Sequence, residues 1–264
     1  MRGAVRSELR KFFTTRMWWG MAIAVLLAGA TFAALIGLLL TSGTAGPNGQ
    51  PAPTPSPAQL AGQVYTGGLS VSYLLTLAIG IMTIGAEYRH RTITSTFLAT
   101  PRRVRVMAAK VVALLGIGVF YGVVSLVGSV GVGAVVLSAK GHAAFPDSTL
   151  WRTLALSLLV LGLWALIGLG AGILIPNQVA ALLITVGVAW IVEPILGSLI
   201  AIPDWGRSIA PYFPSNATQA MVGGSAFADQ THLLSWWGGA LVLAGYAAVM
   251  AGVGSWLTVR RDIT

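Results

Sequence analysis

TLALSLLVLGLWALIGLGAGILIPNQVAALLITVGVAWIV, residues 153–192, carries no charge and is divided only by Pro176-Asn177. Proline lacks a backbone donor and disfavours helix in the residue before it. The stretch is therefore expected to form two apolar helices around a tight turn, an antiparallel hairpin. Its arms are Thr153–Ile175 and a segment from near Val179 to about Ile200.

Four further apolar runs extend the pattern: Trp18–Leu40, Val64–Ala86, Val111–Ala139 and about Trp236–Val259. Each approaches or exceeds the roughly 20 residues that cross a hydrocarbon core. Lipid offers no partner to backbone polar groups, so such spans are helical. No run shows the alternation of a barrel strand. The chain of 264 residues is 56% hydrophobic and 9% charged, against about 25% charged in soluble domains. The expected class is all-α, a polytopic membrane protein of six helices in one domain, residues 1–264. The first apolar run is too long for the core of a cleavable signal peptide.

The net charge of +9 does not point to nucleic acid, because the basic residues cluster at the ends of the apolar runs. With a cytoplasmic N-terminus, thirteen of the 16 Lys and Arg residues fall on the inner side, leaving Lys140, Arg152 and Arg207 outside. The positive-inside rule then places both termini in the cytoplasm. The abundance of Arg over Lys, with much Gly and Ala, hints at a GC-rich bacterial genome, and the expected location is a bacterial cytoplasmic membrane.

The outer connections differ in kind. GTAGPNGQPAPTPSPAQ, residues 43–59, is uncharged and rich in Pro and Gly, and reads as a flexible spacer. Residues 201–235 mix aromatics, prolines and small residues, and are expected to hold short exoplasmic helices before the sixth span. Asn216-Ala217-Thr218 matches a glycosylation sequon, which chance explains in a bacterial protein. The N-terminal MRGAVRSELRKFFTTR, residues 1–16, places Val5, Leu9, Phe12 and Phe13 on one helical arc. It is expected to lie along the cytoplasmic leaflet as an interfacial helix on anionic lipid. A disordered basic leader is the alternative.

Several chemistries lack their residues. There is no cysteine, which excludes thiolate metal sites and disulfides. None of the three lysines follows a phosphate-binding glycine loop. His90, His142 and His232 lie far apart, so no metal is expected. Gly118-x-x-x-Gly122 and Gly168-x-x-x-Gly172 fit close helix packing. Glu193 is the one carboxylate well inside a span, roughly 20 Å from its start at 1.5 Å per residue. Intramembrane acids are functional candidates; Pro194 beside it is expected to kink or end the helix, and a solvated carboxylate near the outer interface is an equal reading.

EYRHRTITSTFLATPRR, residues 87–103, forms the main cytoplasmic loop between spans two and three. Its arginines satisfy topology, but Tyr88, Ile93, Phe97 and Leu98 among the threonines read as a docking surface. Glu87-Tyr88-Arg89-His90-Arg91-Thr92-Ile93, then Pro101-Arg102-Arg103 and Lys110, resembles the first cytoplasmic loop of ABC-2 type permeases, the membrane subunits of ATP-binding-cassette exporters. Tyr212-Phe213-Pro214-Ser215-Asn216-Ala217 and the tail Arg260-Arg261-Asp262-Ile263-Thr264 are similar to the same family. A common form of the loop has Gly where this chain has Arg91.

The resemblance implies that residues 87–110 hold a coupling helix seated on a separate ABC ATPase subunit. Glu87, Tyr88, Arg89, His90, Arg91, Thr92, Ile93, Phe97 and Leu98 would form the coupling surface. The chain would not be an enzyme and would carry no cofactor, with ATP and Mg bound by the partner ATPase. It would pair with a second copy or a sister permease and export a drug, lipid or peptide. Tyr212, Phe213, Pro214 and Asn216 would contribute to an exoplasmic gate. An ion-coupled secondary transporter and a non-transporting scaffold or immunity protein are the alternatives; the first expects inverted repeats and several intramembrane charges. A membrane-embedded enzyme would need a cluster of acids, histidines or a nucleophile, and none stands out.

Overall fold

The computed structural model describes residues 2–42, 55–90, 103–223 and 233–260. Helices α1 (Arg2–Phe13), α2 (Met17–Thr41), α3 (Pro57–Thr66), α4 (Leu69–Arg89), α5 (Arg103–Ala139), α6 (Thr149–Leu174) and α7 (Gln178–Gly187) come first. A π-helical turn, Val188–Val192, leads into α8 (Glu193–Ile200). Then follow α9 (Asp204–Arg207), a 3-10 turn at Ala210–Tyr212, α10 (Pro214–Val222) and α11 (Trp236–Arg260). There is no strand among the described residues. Six helical segments are long and apolar enough to cross a membrane: Met17–Thr41, Pro57–Arg89, Val104–Ala139, Thr149–Leu174, Gln178–Ile200 and Trp236–Gly254. Among the described residues the all-α class thus holds, with six helices of the expected length and apolar character.

The bundle is built around α6, whose apolar window is 78% buried, against 17% for residues 178–200. Glycines let its backbone meet two neighbours. A Cβ on Gly168 would lie 2.1 Å from the Leu77 carbonyl oxygen of α4, and one on Gly80 of α4 would lie 2.1 Å from that of Ala165. Gly170 faces Met250 of α11 in the same way, and Gly118 of α5 sits against Gly162. Both small-xxx-small pairs therefore lie at helix contacts. Without a hydrophobic driving force inside lipid, such close approach supplies the dispersion contacts that hold spans together.

Three boundaries differ from the expected ones. The second span starts at Pro57, so the spacer read over 43–59 is cut short; residues 43–54 lie outside the described part. The cause is a capping box: Ser56 accepts from the Gln59 N–H while the Gln59 side chain accepts from the Ser56 N–H. Gly67 and Gly68 then break this span where it crosses α2, with Gly68 against the Ala28 carbonyl. The helix of the third span, α5, begins at Arg103, eight residues before the expected Val111. The loop read over 87–110 is correspondingly shorter, because 87–89 and 103–110 are helical.

The Pro176-Asn177 turn forms as expected. Ile175 is extended, and the Asn177 side chain accepts from the N–H groups of Val179 and Ala180, capping α7. The helix neither ends nor restarts with a break at Pro194. The Glu193 N–H bonds back five residues to the Val188 carbonyl. Pro194 adds no N–H of its own, and the wider turn before it absorbs the missing bond.

Candidate functional sites at the two ends of the bundle

One end of the bundle carries α1, both feet of the 91–102 connection and the Pro176-Asn177 turn. Here four charged residues from three helices meet: Glu8 and Lys11 of α1, Glu87 in the last turn of α4, and Lys110 in the second turn of α5. The Lys110 ammonium donates to Glu8 Oε2 at 2.7 Å and to Glu87 Oε1. Lys11 donates to Glu8 Oε1 at 2.7 Å and to Glu87 Oε1 at 3.1 Å. Lys110 is almost wholly buried, with 1% of its side chain exposed, while that of Lys11 is 44% exposed.

The cluster is formally neutral, which is what makes burial of four charges tolerable. Burial alone would raise the Glu8 carboxyl, but the Lys110 and Lys11 ammonium groups override it and hold the group below its ordinary value. Burial would likewise lower Lys11; its bonds to Glu8 and Glu87 reverse this and hold it above its ordinary value. Glu87 Oε2 is buried with no hydrogen-bond partner among the described residues. A cavity of about 330 Å³ lies beside the cluster, reaching Phe12, Thr83, His90 and Gln178.

Aromatic contacts hold α1 in place. Phe12 is buried edge-on to Tyr121 of α5, and Phe13 meets Phe120 edge-on at 5.6 Å. The Tyr121 hydroxyl donates to the Trp18 carbonyl at 2.8 Å. The helix read over 1–16 thus exists, and its apolar arc packs in part against protein: Phe12 is buried, while Phe13 is 39% exposed.

Of the residues read as a coupling surface, Glu87, Tyr88 and Arg89 form the end of α4, and the His90 N–H caps it on the Ala86 carbonyl at 2.9 Å. Arg89 and His90 are exposed, Tyr88 is half-buried against the core, and Glu87 is buried in the ion cluster. Glu87 therefore anchors the foot of the connection and presents no free carboxylate. Arg91, Thr92, Ile93, Phe97 and Leu98 lie outside the described residues.

The opposite end carries the short helices expected over 201–235, of which 224–232 lie outside the described residues. Glu193 is only 7% exposed. Its Oε1 accepts the backbone N–H of Ser215 at 2.6 Å, at the start of α10, where a carboxylate is favoured by the helix dipole. α10 is pinned to α6, since Trp164 Nε1 donates to Thr218 Oγ1 at 2.9 Å. Trp164 also stacks on Tyr73 of α4 at 4.2 Å between ring centroids. Among the residues read as a gate, Tyr212 is 52% exposed, Phe213 and Pro214 open α10, and the Asn216 side-chain amide donates to the Ala210 carbonyl at 2.8 Å. A cavity of about 700 Å³ adjoins them, walled by Tyr73, Trp190, Glu193, Asn216 and Gln219, with Arg207 also on it.

Glu8 escaped the sequence reading, and Lys110 was taken only as part of the loop pattern. A partial signal for Glu8 existed: it lies at the edge of the arc of Val5, Leu9 and Phe12, three residues after Val5 and four before Phe12, where an acid beside an apolar face asks for a partner. Among the described residues no group of three His, Cys, Asp or Glu side chains could hold a metal ion. No protein-family model matches the chain, and no curated protein matches it.

Proposed function

We propose that the chain is the membrane subunit of an ATP-driven exporter of the ABC-2 permease type, in a bacterial cytoplasmic membrane with both termini inside. One observation supports this above the others. The two feet of the 91–102 connection, Glu87 and Lys110, are bonded to each other and to α1 through a buried ion cluster. A loop that must transmit force needs feet that do not slip, and coupling between distant sites is carried by such packed, bonded contacts. On this reading a partner ATPase, with its ATP and Mg, grips the connection. Ile93, Phe97 and Leu98 supply apolar anchors, and Arg89 and Arg91 pair with acidic groups. Closure of the ATPase then moves α4 and α5 together with α1. The short helices at the opposite end would form the outer gate, and a second copy or sister permease would complete the pathway.

The test is to purify the chain with a candidate ABC ATPase subunit and measure ATPase stimulation and transport in proteoliposomes. Phe97→Ala and Arg89→Ala should both lower stimulation and transport while the permease still inserts. Full coupling in both variants would count against the assignment. A second reading, an ion-coupled transporter, draws on buried Glu193 within a span; uptake or efflux driven by a proton gradient without nucleotide would favour it.

A further inference from the structure

The cavity walled by Tyr73, Trp190, Glu193, Asn216 and Gln219 has the size of a site for a small molecule: about 700 Å³, within the range of roughly 300–1,000 Å³ of ligand pockets. Its one carboxylate, Glu193, and its one guanidinium, Arg207, stand among hydroxyl, amide and indole groups, and Glu193 is the more buried of the two charges. Glu193 is nine-tenths buried, and its carboxylate is held by Ser215, whose backbone N–H donates to Oε1. The Gln219 side-chain oxygen is buried and has no partner among the described residues. A buried acceptor left unmatched is costly, and a donor-bearing ligand removes the cost. Trp190 shares the wall with Tyr73, one face of which is taken by Trp164, and the exposed aromatic face of Trp190 attracts cations. Arg207, which also lines the cavity, is exposed and gives its Nε–H to the Ala201 carbonyl at 3.3 Å; water screens it more than the buried Glu193.

We propose that this cavity binds the ammonium head of an amphipathic amine, with Glu193 as counter-ion, Gln219 as a second acceptor, and the apolar tail lying along the wall. The inference deepens the exporter reading, in which such an amine is cargo, and to that extent rests on it. Binding itself needs no ATPase, so the two can fail separately.

The experiment uses the full chain in lipid nanodiscs and three fluorescent twelve-carbon probes of equal length, an alkylammonium, an alcohol and a carboxylate, each corrected for binding to empty nanodiscs. The ammonium should bind saturably and about tenfold or more tighter than the alcohol, the size expected of a charge-assisted hydrogen bond. Glu193→Gln keeps an acceptor for the Ser215 N–H. It should abolish the preference for ammonium while the alcohol still binds saturably, which also reports that the cavity has folded. Gln219→Leu should weaken the ammonium several-fold. The proposal is overturned if ammonium and alcohol bind alike to the wild type, or if the preference survives in both variants. Saturable, Glu193-dependent binding together with absent ATPase stimulation would sustain this inference and sink the exporter reading.

Discussion

Replacing Lys110 by Met removes one charge of similar length from the buried cluster, and its cost can be worked from the geometry. The Lys110–Glu8 contact of 2.7 Å corresponds to roughly 6 kcal/mol of gross attraction at an effective dielectric of about 20. Most of that offsets the desolvation of the ammonium. What remains after the replacement is Glu8 and Glu87, both nine-tenths buried, facing Lys11 alone. The Lys11 side chain is 44% exposed, so water screens it, and it cannot neutralise two carboxylates. Breaking a buried pair from one side costs about 3–5 kcal/mol, and Lys110→Met is expected to lose that much. Adding Glu87→Gln removes the surplus negative charge, so the double variant should be more stable than Lys110→Met alone. Reversible unfolding in mixed micelles, followed by tryptophan fluorescence, reads both quantities. A Lys110→Met protein within about 0.5 kcal/mol of wild type, or a double variant whose loss is the sum of the singles, would refute the reasoning.

Three other outcomes follow from the same geometry. Gly168→Val should separate α4 from α6, because even a Cβ there would lie 2.1 Å from the Leu77 carbonyl oxygen; backbone cannot yield as a side chain does, so a loss of about 1–3 kcal/mol or more is expected, and wild-type stability would contradict the packing. Trp164→Phe leaves the Thr218 hydroxyl without its indole donor and should cost about 1–3 kcal/mol, with faster proteolysis near α10 as a second readout. For pH, the Glu8 carboxyl is held below its ordinary value of about 4.5, so its share of stability is complete above that pH and is lost as pH falls through the lower, folded value. Lys11 is held above 10.5, so its share is complete below that and lost only as pH rises beyond it. The stability gap between wild type and Glu8→Gln should therefore be constant from about pH 5 to 10 and close under stronger acid; a gap that closes near neutrality would overturn the sign.

The spans were legible because long uncharged runs admit few other structures, and Pro176-Asn177 marked its turn through a missing donor. The Gly118 and Gly168 patterns also announced their contacts. Less visible was where helices begin within polar or proline-rich sequence. Ser56-Pro57-Ala58-Gln59 contains its capping box, yet the surrounding Pro and Gly read as a spacer. Arg103 through Lys110 looked like a charged return to the membrane, though α5 already runs there. The ion cluster was the least accessible, since Glu8 and Lys110 are 102 residues apart and only the packing of α1 on α5 brings them together. The π turn before Glu193 was equally hidden, because it answers a backbone need set by Pro194 and by the seat of α10.

The proposal's central claim is that a nucleotide-driven neighbour holds the connection between α4 and α5 from the cytoplasmic side. The chain has no cysteine, so a single Phe97→Cys variant can be labelled and cross-linked without background. With a candidate ABC ATPase subunit co-expressed and carrying one cysteine of its own, an impermeant thiol reagent should reach position 97 only in inside-out vesicles. A permease–ATPase cross-link should also form, with a yield that changes with nucleotide. Labelling of position 97 in intact cells, or a cross-link yield no higher than that of a cysteine placed at the opposite end, such as Tyr212→Cys, would contradict that claim.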